Sequence, residues 1–293
     1  MVDQDLRSTA LEAVHESLGA TFTDFAGWRM PVRYDSDLAE HRAVRESAGL
    51  FDLSHMGEIH LRGSQAGEAL DHAMAGKLSA VAVGRAKYTL LLTEQGGVID
   101  DVIVYRLAED HFLVVANASN AVVDAEEIRA RVAGFDVEVD DASDRTSLIA
   151  VQGPASEQIL LDLLVAEDSG VEVVTAEDIT SMKNYRFAEG TYRGGDLLVA
   201  RTGYTGEDGF ELYVGDDSAE ELWKALTAVG GDRIVPCGLA CRDTLRLEAG
   251  MPLYGNELSR DLLPAQAGMG RVVALSSKGD FVGREATEAA QTE

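Results

Sequence analysis

One local pattern occurs twice in this chain and restricts its fold more than any other feature. Glu58-Ile59-His60-Leu61-Arg62-Gly63 reads as a short strand closed by a glycine turn, and a helical stretch from Ser64 to Met74 follows it. Ser147-Leu148-Ile149-Ala150-Val151-Gln152-Gly153-Pro154 reads the same way and precedes a helix from Ala155 to Leu164. The period changes from two to 3.6 across each glycine, the signature of a strand–turn–helix unit. After the first unit, Tyr88 to Leu92 and Val98 to Leu107 form a hairpin about Gly96-Gly97, and a strand from Phe112 to Ala116 leads into a helix from Ala121 to Val132. The second half repeats this order with Asp196 to Arg201, a glycine-rich turn, Gly209 to Val214 and a helix from Ser218 to Val229. The reading is a duplicated α+β fold, two β-α-β-α-like lobes at roughly 50–135 and 145–230 with mainly antiparallel sheets.

Upstream, Asp37 to Gly49 reads as a helix stopped by its glycine. The aromatic stretches on either side, Phe22 to Pro31 and Gly49 to Glu58, keep neither period throughout and read as shaped connections. The chain carries 25 Lys and Arg against 51 Asp and Glu, a net charge of −26. A field of that sign repels phosphates, which excludes a general nucleic-acid or anionic-membrane binder. Met1-Val2-Asp3-Gln4-Asp5-Leu6 has neither a basic start nor an apolar run, no apolar stretch approaches membrane length, and only Cys237 and Cys241 are present. These features point to a reducing, cytoplasmic setting with no membrane partner.

Three stretches carry candidate chemistry. In Gly96-Gly97-Val98-Ile99-Asp100-Asp101-Val102-Ile103-Val104-Tyr105, strand alternation sets Asp101 on one face with Ile99 and Ile103, and Asp100 on the other with Val98 and Val102. A carboxylate among such neighbours needs a partner or a polar cavity, unless both acids stay hydrated beside the turn. Arg201-Thr202-Gly203-Tyr204-Thr205-Gly206-Glu207-Asp208-Gly209-Phe210-Glu211 spaces three glycines around an aromatic ring, as a close-approach loop or as a long hairpin turn; its charge and spacing exclude a phosphate loop. In Pro236-Cys237-Gly238-Leu239-Ala240-Cys241-Arg242-Asp243, the two cysteines supply only half a zinc site, so packing is their expected role and no metal is expected. Arg242 reads either as a structural partner of Asp243 or Glu248 or as a ligand clamp. His55, a lone histidine beside Met56, has no nucleophile at usable spacing and reads as structural.

Two of these stretches, Gly96 to Asp101 and Arg201 to Glu211, occur in order with Asp24-Phe25-Ala26-Gly27-Trp28-x-Met30-Pro31, Phe51-Asp52-Leu53-Ser54-His55-Met56-Gly57-Glu58 and Arg246-Leu247-Glu248-Ala249-Gly250-Met251-Pro252-Leu253-Tyr254-Gly255, and together they resemble the aminomethyltransferase family, the T-proteins of the glycine cleavage system. The resemblance covers nearly the whole chain and makes residues 1–286 a folate-binding region with a tail at 287–293. It implies a tetrahydrofolate-dependent transferase that acts on an aminomethyl group carried by the lipoyl arm of H-protein. The implied products are 5,10-methylenetetrahydrofolate, ammonia and the dihydrolipoyl arm. By position in the family motifs, Asp101 is the implied catalytic aspartate, and Glu211, Arg242, Tyr88, Asn117, Tyr204 and Met56 are implied folate contacts.

At its ordinary pKa of about 3.9, Asp101 is ionised at neutral pH and suited to orienting the N10 hydrogen of folate and stabilising positive charge. Glu211 suits the donor edge of a pterin. Two differences from the family pattern stand out. Gln266-Ala267-Gly268-Met269-Gly270-Arg271 replaces a Glu-Ala-Gly-Leu-Gly-Trp-like run. The family's C-terminal β-barrel is also expected to be absent, leaving a form that folds but binds folate more weakly. The competing readings are a folate-dependent demethylase and a non-enzymatic iron–sulfur assembly factor of the same fold. Lys278-Gly279-Asp280-Phe281-Val282-Gly283-Arg284-Glu285 lacks the cysteine of the assembly-factor motif.

Overall fold

The alternation of apolar residues across successive glycine turns is realised as three sheets in a computed structural model, which describes residues 6–290. The N-terminal stretch Met1 to Asp5, on which the reading of the chain start rests, and the last three residues of the expected tail lie outside the described residues. The chain divides into two units, Met1–His55 with Arg145–Met251 and Met56–Asp144 with Pro252–Glu293.

The first unit opens with α1 (Glu12–Ser17), β1 (Thr21–Phe25), β2 (Trp28–Arg33), α2 (Asp37–Glu46) and β3 (Ala48–Asp52). The second unit follows with β4 (Gly57–Arg62), α3 (Ala66–Ala73), β5 (Arg85–Leu92), β6 (Val98–Ala108), β7 (His111–Ala116), α4 (Ala121–Val132) and β8 (Glu138–Asp141). The chain then returns to the first unit as β9 (Thr146–Gln152), α5 (Ser156–Val165), β10 (Val171–Glu172), α6 (Ala176–Ser181), β11 (Phe187–Tyr192), β12 (Gly195–Ala200), β13 (Gly209–Gly215), α7 (Asp216–Gly230), β14 (Ile234–Pro236) and α8 (Leu239–Glu248). The segment read as a tail from 287 begins inside a further helix of the second unit, α9 (Arg284–Ala290), where Thr287 is buried.

In the first unit seven strands run in the order β10-β11-β12-β13-β9-β3-β14, antiparallel except for the β14–β3 pair. The second unit has five strands, β5-β6-β7-β4-β8, all antiparallel. The mainly antiparallel α+β fold read from the sequence is therefore observed. Its repeated motif is visible as well, because β4 and β9 each end at a glycine with positive φ, Gly63 at 151° and Gly153 at 129°, before a helix starts. Each glycine also lies against backbone. A Cβ on Gly63 would meet the Asp136 carbonyl oxygen at 2.2 Å, and one on Gly153 the Ser47 carbonyl oxygen at 2.4 Å.

The amphipathic helices bury their apolar stripes on these sheets. Ile159, Leu160 and Leu163 of α5 join Leu222, Trp223 and Leu226 of α7 over β9 and β13 in the first core. Leu70 and Ala73 of α3 join Ala125, Ile128 and Val132 of α4 over β4, β6 and β7 in the second. Fully burying one such leucine contributes roughly 1.5–3 kcal/mol, so these stripes hold the layers together.

Much of the aromatic stretches read as shaped connections is strand, with Leu53 to Met56 left as a connection between β3 and β4. Phe22 to Pro31 lies within the two-residue hairpin of β1 and β2, in which Phe25 pairs with Trp28 and Ala26 and Gly27 both take positive φ. The positive angles match the twist of a tight hairpin, and the Arg7 guanidinium covers the Trp28 ring at 4.0 Å. Gly49 to Asp52 belongs to β3, buried on both sides, and a strand buried on both sides shows no alternation.

Candidate active site

In the second unit, backbone packing at the Gly96-Gly97 turn sets the start of β6. A Cβ on Gly97 would meet the Arg260 carbonyl oxygen at 1.8 Å, and the Val98 N–H donates to the Ser259 and Leu262 carbonyls. On β5, Leu90 pairs with Asp101 and Tyr88 with Ile103. Tyr88 is thus the diagonal neighbour of Asp101 and its hydroxyl donates to Asp101 Oδ2 at 3.0 Å. On the other side Ile103 pairs with Val115, and continuing that register past the end of β7 sets Asn117 opposite Asp101. The Asn117 Nδ2 donates to Asp101 Oδ1 at 3.0 Å, to the Asp101 carbonyl at 2.9 Å and to Asp100 Oδ1 at 2.9 Å.

Asp100 and Asp101 do not share the hydrated turn that was one reading of this strand. Asp100 is fully buried and also accepts the Asn117 backbone N–H and the Asn120 Nδ2, each at 2.9 Å. Asp101 is part-buried. Burial, then the charge of Asp100, raises its carboxyl to about 7, against the donated bonds from Tyr88 and Asn117. Burial and the charge of Asp100 thus hold this carboxyl above the ordinary carboxylate value expected from the sequence. Met56 is part-buried immediately ahead of β4.

In the first unit, Gln152 at the end of β9 shapes the Arg201-to-Glu211 segment. Its Nε2 donates to the Thr202 carbonyl at 3.0 Å and its Oε1 accepts from the Thr205 hydroxyl at 3.0 Å. A Cβ on Gly203 would lie 2.0 Å from Gln152 Oε1 and one on Gly209 2.4 Å from its Cδ, so these two glycines make room for a buried amide. Arg45 of α2 holds the same loop through the Thr205 carbonyl and Glu207, and holds the end of α8 through Glu248. Glu211 is buried on β13 and accepts the Thr202 hydroxyl at 2.5 Å.

Arg242 lies one turn into α8 with its guanidinium 4.7 Å from the Tyr204 ring centroid. It pairs with neither acid proposed from the sequence, because Asp243 binds Arg246 and Glu248 binds Arg45. Burial lowers the Arg242 guanidinium from its usual value while Glu211, whose charge it feels, opposes that shift. Tyr204, Glu211 and Arg242 therefore make one group offering a carboxylate, a guanidinium and an aromatic face. His55 is buried edge-on to Phe25 with its Nδ1 unpartnered, and burial lowers its imidazole to about 4, so it is neutral.

The cysteines are free and buried. With Glu40 they form the one group of possible metal donors found among the described residues. The Glu40 carboxylate is already taken by the backbone N–H groups of Tyr34, Asp35 and Gly238, so it acts as a clamp on the start of α8. Thr202, Gln152, Asn120 and Asp124 were not singled out from the sequence. A signal for Asp124 was available, since it lies on the stripe of α4 that buries Ala125, Ile128 and Val132. An acid on such a stripe requires a polar partner in the core.

Residues 11–277 match the family model described as the GCVT N-terminal domain. The aminomethyltransferase of Cutibacterium acnes is 59% identical over 283 residues, covering 97% of this chain and 76% of that protein. That of Streptomyces coelicolor is 56% identical, covering 99% and 76%. The crystal structure of the glycine cleavage system aminomethyltransferase T from Bartonella henselae superposes with a TM-score of 0.88 at 36% identity, covering 98% of this chain and 75% of that one. Fold and sequence agree on a group-transferring enzyme. The chain belongs to the aminomethyltransferase family.

Proposed function

We propose that this chain transfers the methylene carbon of an aminomethyl group, presented on the lipoyl arm of H-protein, to tetrahydrofolate. The carbon leaves sulfur and nitrogen and becomes bonded to N5 and N10 of the folate. The two protons displaced from those nitrogens go to the departing thiolate and amine, which leave as the dihydrolipoyl thiol and ammonia. Tetrahydrofolate supplies the two nucleophilic nitrogens. Residues up to 286 serve as its binding region in this reading, and the cytoplasm is the setting.

The observation that carries the reading is the Asp101 carboxyl, part-buried, held from two sides and set near 7. A carboxyl with that pKa can accept a proton from a weakly acidic N–H and pass it on at neutral pH, in addition to stabilising positive charge. Tyr88 and Asn117 fix its two oxygens, so its orientation is set before substrate arrives. Glu211 and Arg242 suit a pterin, whose amino-pyrimidine edge donates to a carboxylate and whose carbonyl accepts from a guanidinium. Tyr204 holds the Arg242 guanidinium over its ring. Met56 is assigned to the apolar lining.

Ammonia release measured with lipoylated H-protein should require tetrahydrofolate. Release that is equal without folate overturns the reading and favours a different acceptor. In the same preparation, Glu211→Gln is expected to weaken folate binding by roughly 1.5–3 kcal/mol, read by calorimetric titration, because it replaces a charged acceptor with a neutral one.

A further inference from the structure

We propose that Asp124 of α4 is a positioning residue: its carboxylic acid donates a hydrogen bond to Asp100, and Asp100 in turn fixes Asn117 and, through it, the reacting carboxyl of Asp101. The proposal rests on the reading of Asp101 as the reacting group.

The geometry begins at Gly57. A Cβ there would lie 2.6 Å from that of Ala121, so the glycine lets the first turn of α4 close onto β4. That contact brings Asp124 down onto the sheet, fully buried beside the equally buried Asp100. Among the described residues no donor reaches either Asp124 oxygen, while Asp100 accepts three hydrogen bonds from Asn117 and Asn120. The two carboxyls are within hydrogen-bonding reach of each other. Two fully buried carboxyls in that arrangement require a proton between them.

The three N–H donors favour charge on Asp100, and the absence of donors leaves the proton on Asp124. Burial and the charge of Asp100 push the Asp124 carboxyl far above the ordinary carboxylate range. The groups facing this cluster are Tyr88 from β5, Asp100 and Asp101 from β6, Asn117 and Asn120 beyond β7, and Arg131 further along α4. Arg131 is the cation among them, and it is committed to the Ala73 and Leu92 carbonyls and to Glu127.

The consequence is a single negative charge held at Asp100, next to Asp101. Were Asp100 neutral, Asp101 would lose one cause of its raised pKa. Were Asp100 charged but undonated, it would compete for the Asn117 amide that orients Asp101. Strand alternation separates Asp100 from Asp101, so the sequence alone predicts that changing Asp100 costs little; the shared Asn117 couples the two acids.

The test uses Asp124→Asn, whose amide still donates, and Asp124→Leu, similar in size and unable to donate. Carbon-13 NMR of carboxyl-labelled aspartates follows titration in the free protein, and ammonia release follows turnover. The Asp124 signal is expected to stay that of a carboxylic acid throughout pH 5–8. Asp124→Leu should move the Asp101 midpoint and lower kcat by about tenfold or more through lost orientation, and Asp124→Asn should restore most of it. An Asp124 that titrates in the ordinary carboxylate range, or an asparagine variant as impaired as the leucine variant, overturns the proposal. If the leucine variant does not fold, the wild-type titration and the asparagine variant decide the matter. Should Asp101→Asn instead prove fully active, the functional reading fails while the NMR titration still judges the Asp124–Asp100 hydrogen bond.

Discussion

Asp101 shows how function and stability oppose each other at one side chain. Its folded pKa of about 7 lies above the unfolded value, so the folded form binds more protons between about pH 4 and 7. Stability contributed by this group is therefore present below pH 4 and is lost as pH rises through 7. Asp101→Asn removes the titration. At pH 8 it should raise stability by on the order of 1–2 kcal/mol, read as a higher Tm. Turnover should fall about a hundredfold or more, roughly 3 kcal/mol of transition-state stabilisation. If the unprotonated carboxylate does the work, wild-type kcat should rise with pH to a plateau above about 7, and that acid limb should vanish in the variant. A variant with both full activity and a lowered Tm would assign Asp101 to structure.

Among the elements, the loop from Arg201 to Gly209 depends on one amide from a different strand. Gln152 satisfies the Thr202 carbonyl and the Thr205 hydroxyl and occupies the space that Gly203 and Gly209 leave open. Gln152→Leu keeps the volume but strands two buried polar groups, at a cost of about 1–3 kcal/mol each before water enters. A lower Tm with weakened folate binding is expected, because Tyr204 and Glu211 flank the loosened turn. Unchanged affinity in a destabilised variant would show that the loop is set by Arg45 alone. The loop's glycine spacing was legible in the sequence. Its cause was not, because Gln152 lies about fifty positions away and meets the loop only through the β9–β13 pairing.

For the whole molecule, the net charge of −26 is the dominant long-range force. Salt bridges such as Arg201 with Asp208 and Glu157, or Arg45 with Glu207 and Glu248, neutralise part of it locally. Acids outnumber Lys and Arg by two to one, so this pairing leaves a large net negative charge. Screening shortens the range of their repulsion to about 10 Å at 0.1 M salt and about 3 Å at 1 M. Tm should therefore rise steadily as sodium chloride increases from low ionic strength to 1 M. A flat or falling Tm would mean that the ion pairs outweigh the repulsion.

What the sequence determined by itself was everything governed by neighbours along the chain. The helices and most strands follow from periods of two and 3.6, the breaks follow from glycine, and the motifs that mark the family are continuous runs. Asp101, Tyr204 and Glu211 lie within those motifs, and the resemblance they carry implies Tyr88, Asn117 and Arg242. What only the tertiary structure decided was the environment of each. The β1–β2 hairpin escaped because its aromatics and β3's double burial erase the alternation that a strand usually displays. The Asp101 pKa escaped because it depends on burial and on the charge of Asp100, which only the folded packing sets. Asp124 escaped because a helix face shows which residues go inward but not what they meet there. Period is a property of the backbone and can be read along the chain; desolvation and charge coupling arise only where distant segments close on one another.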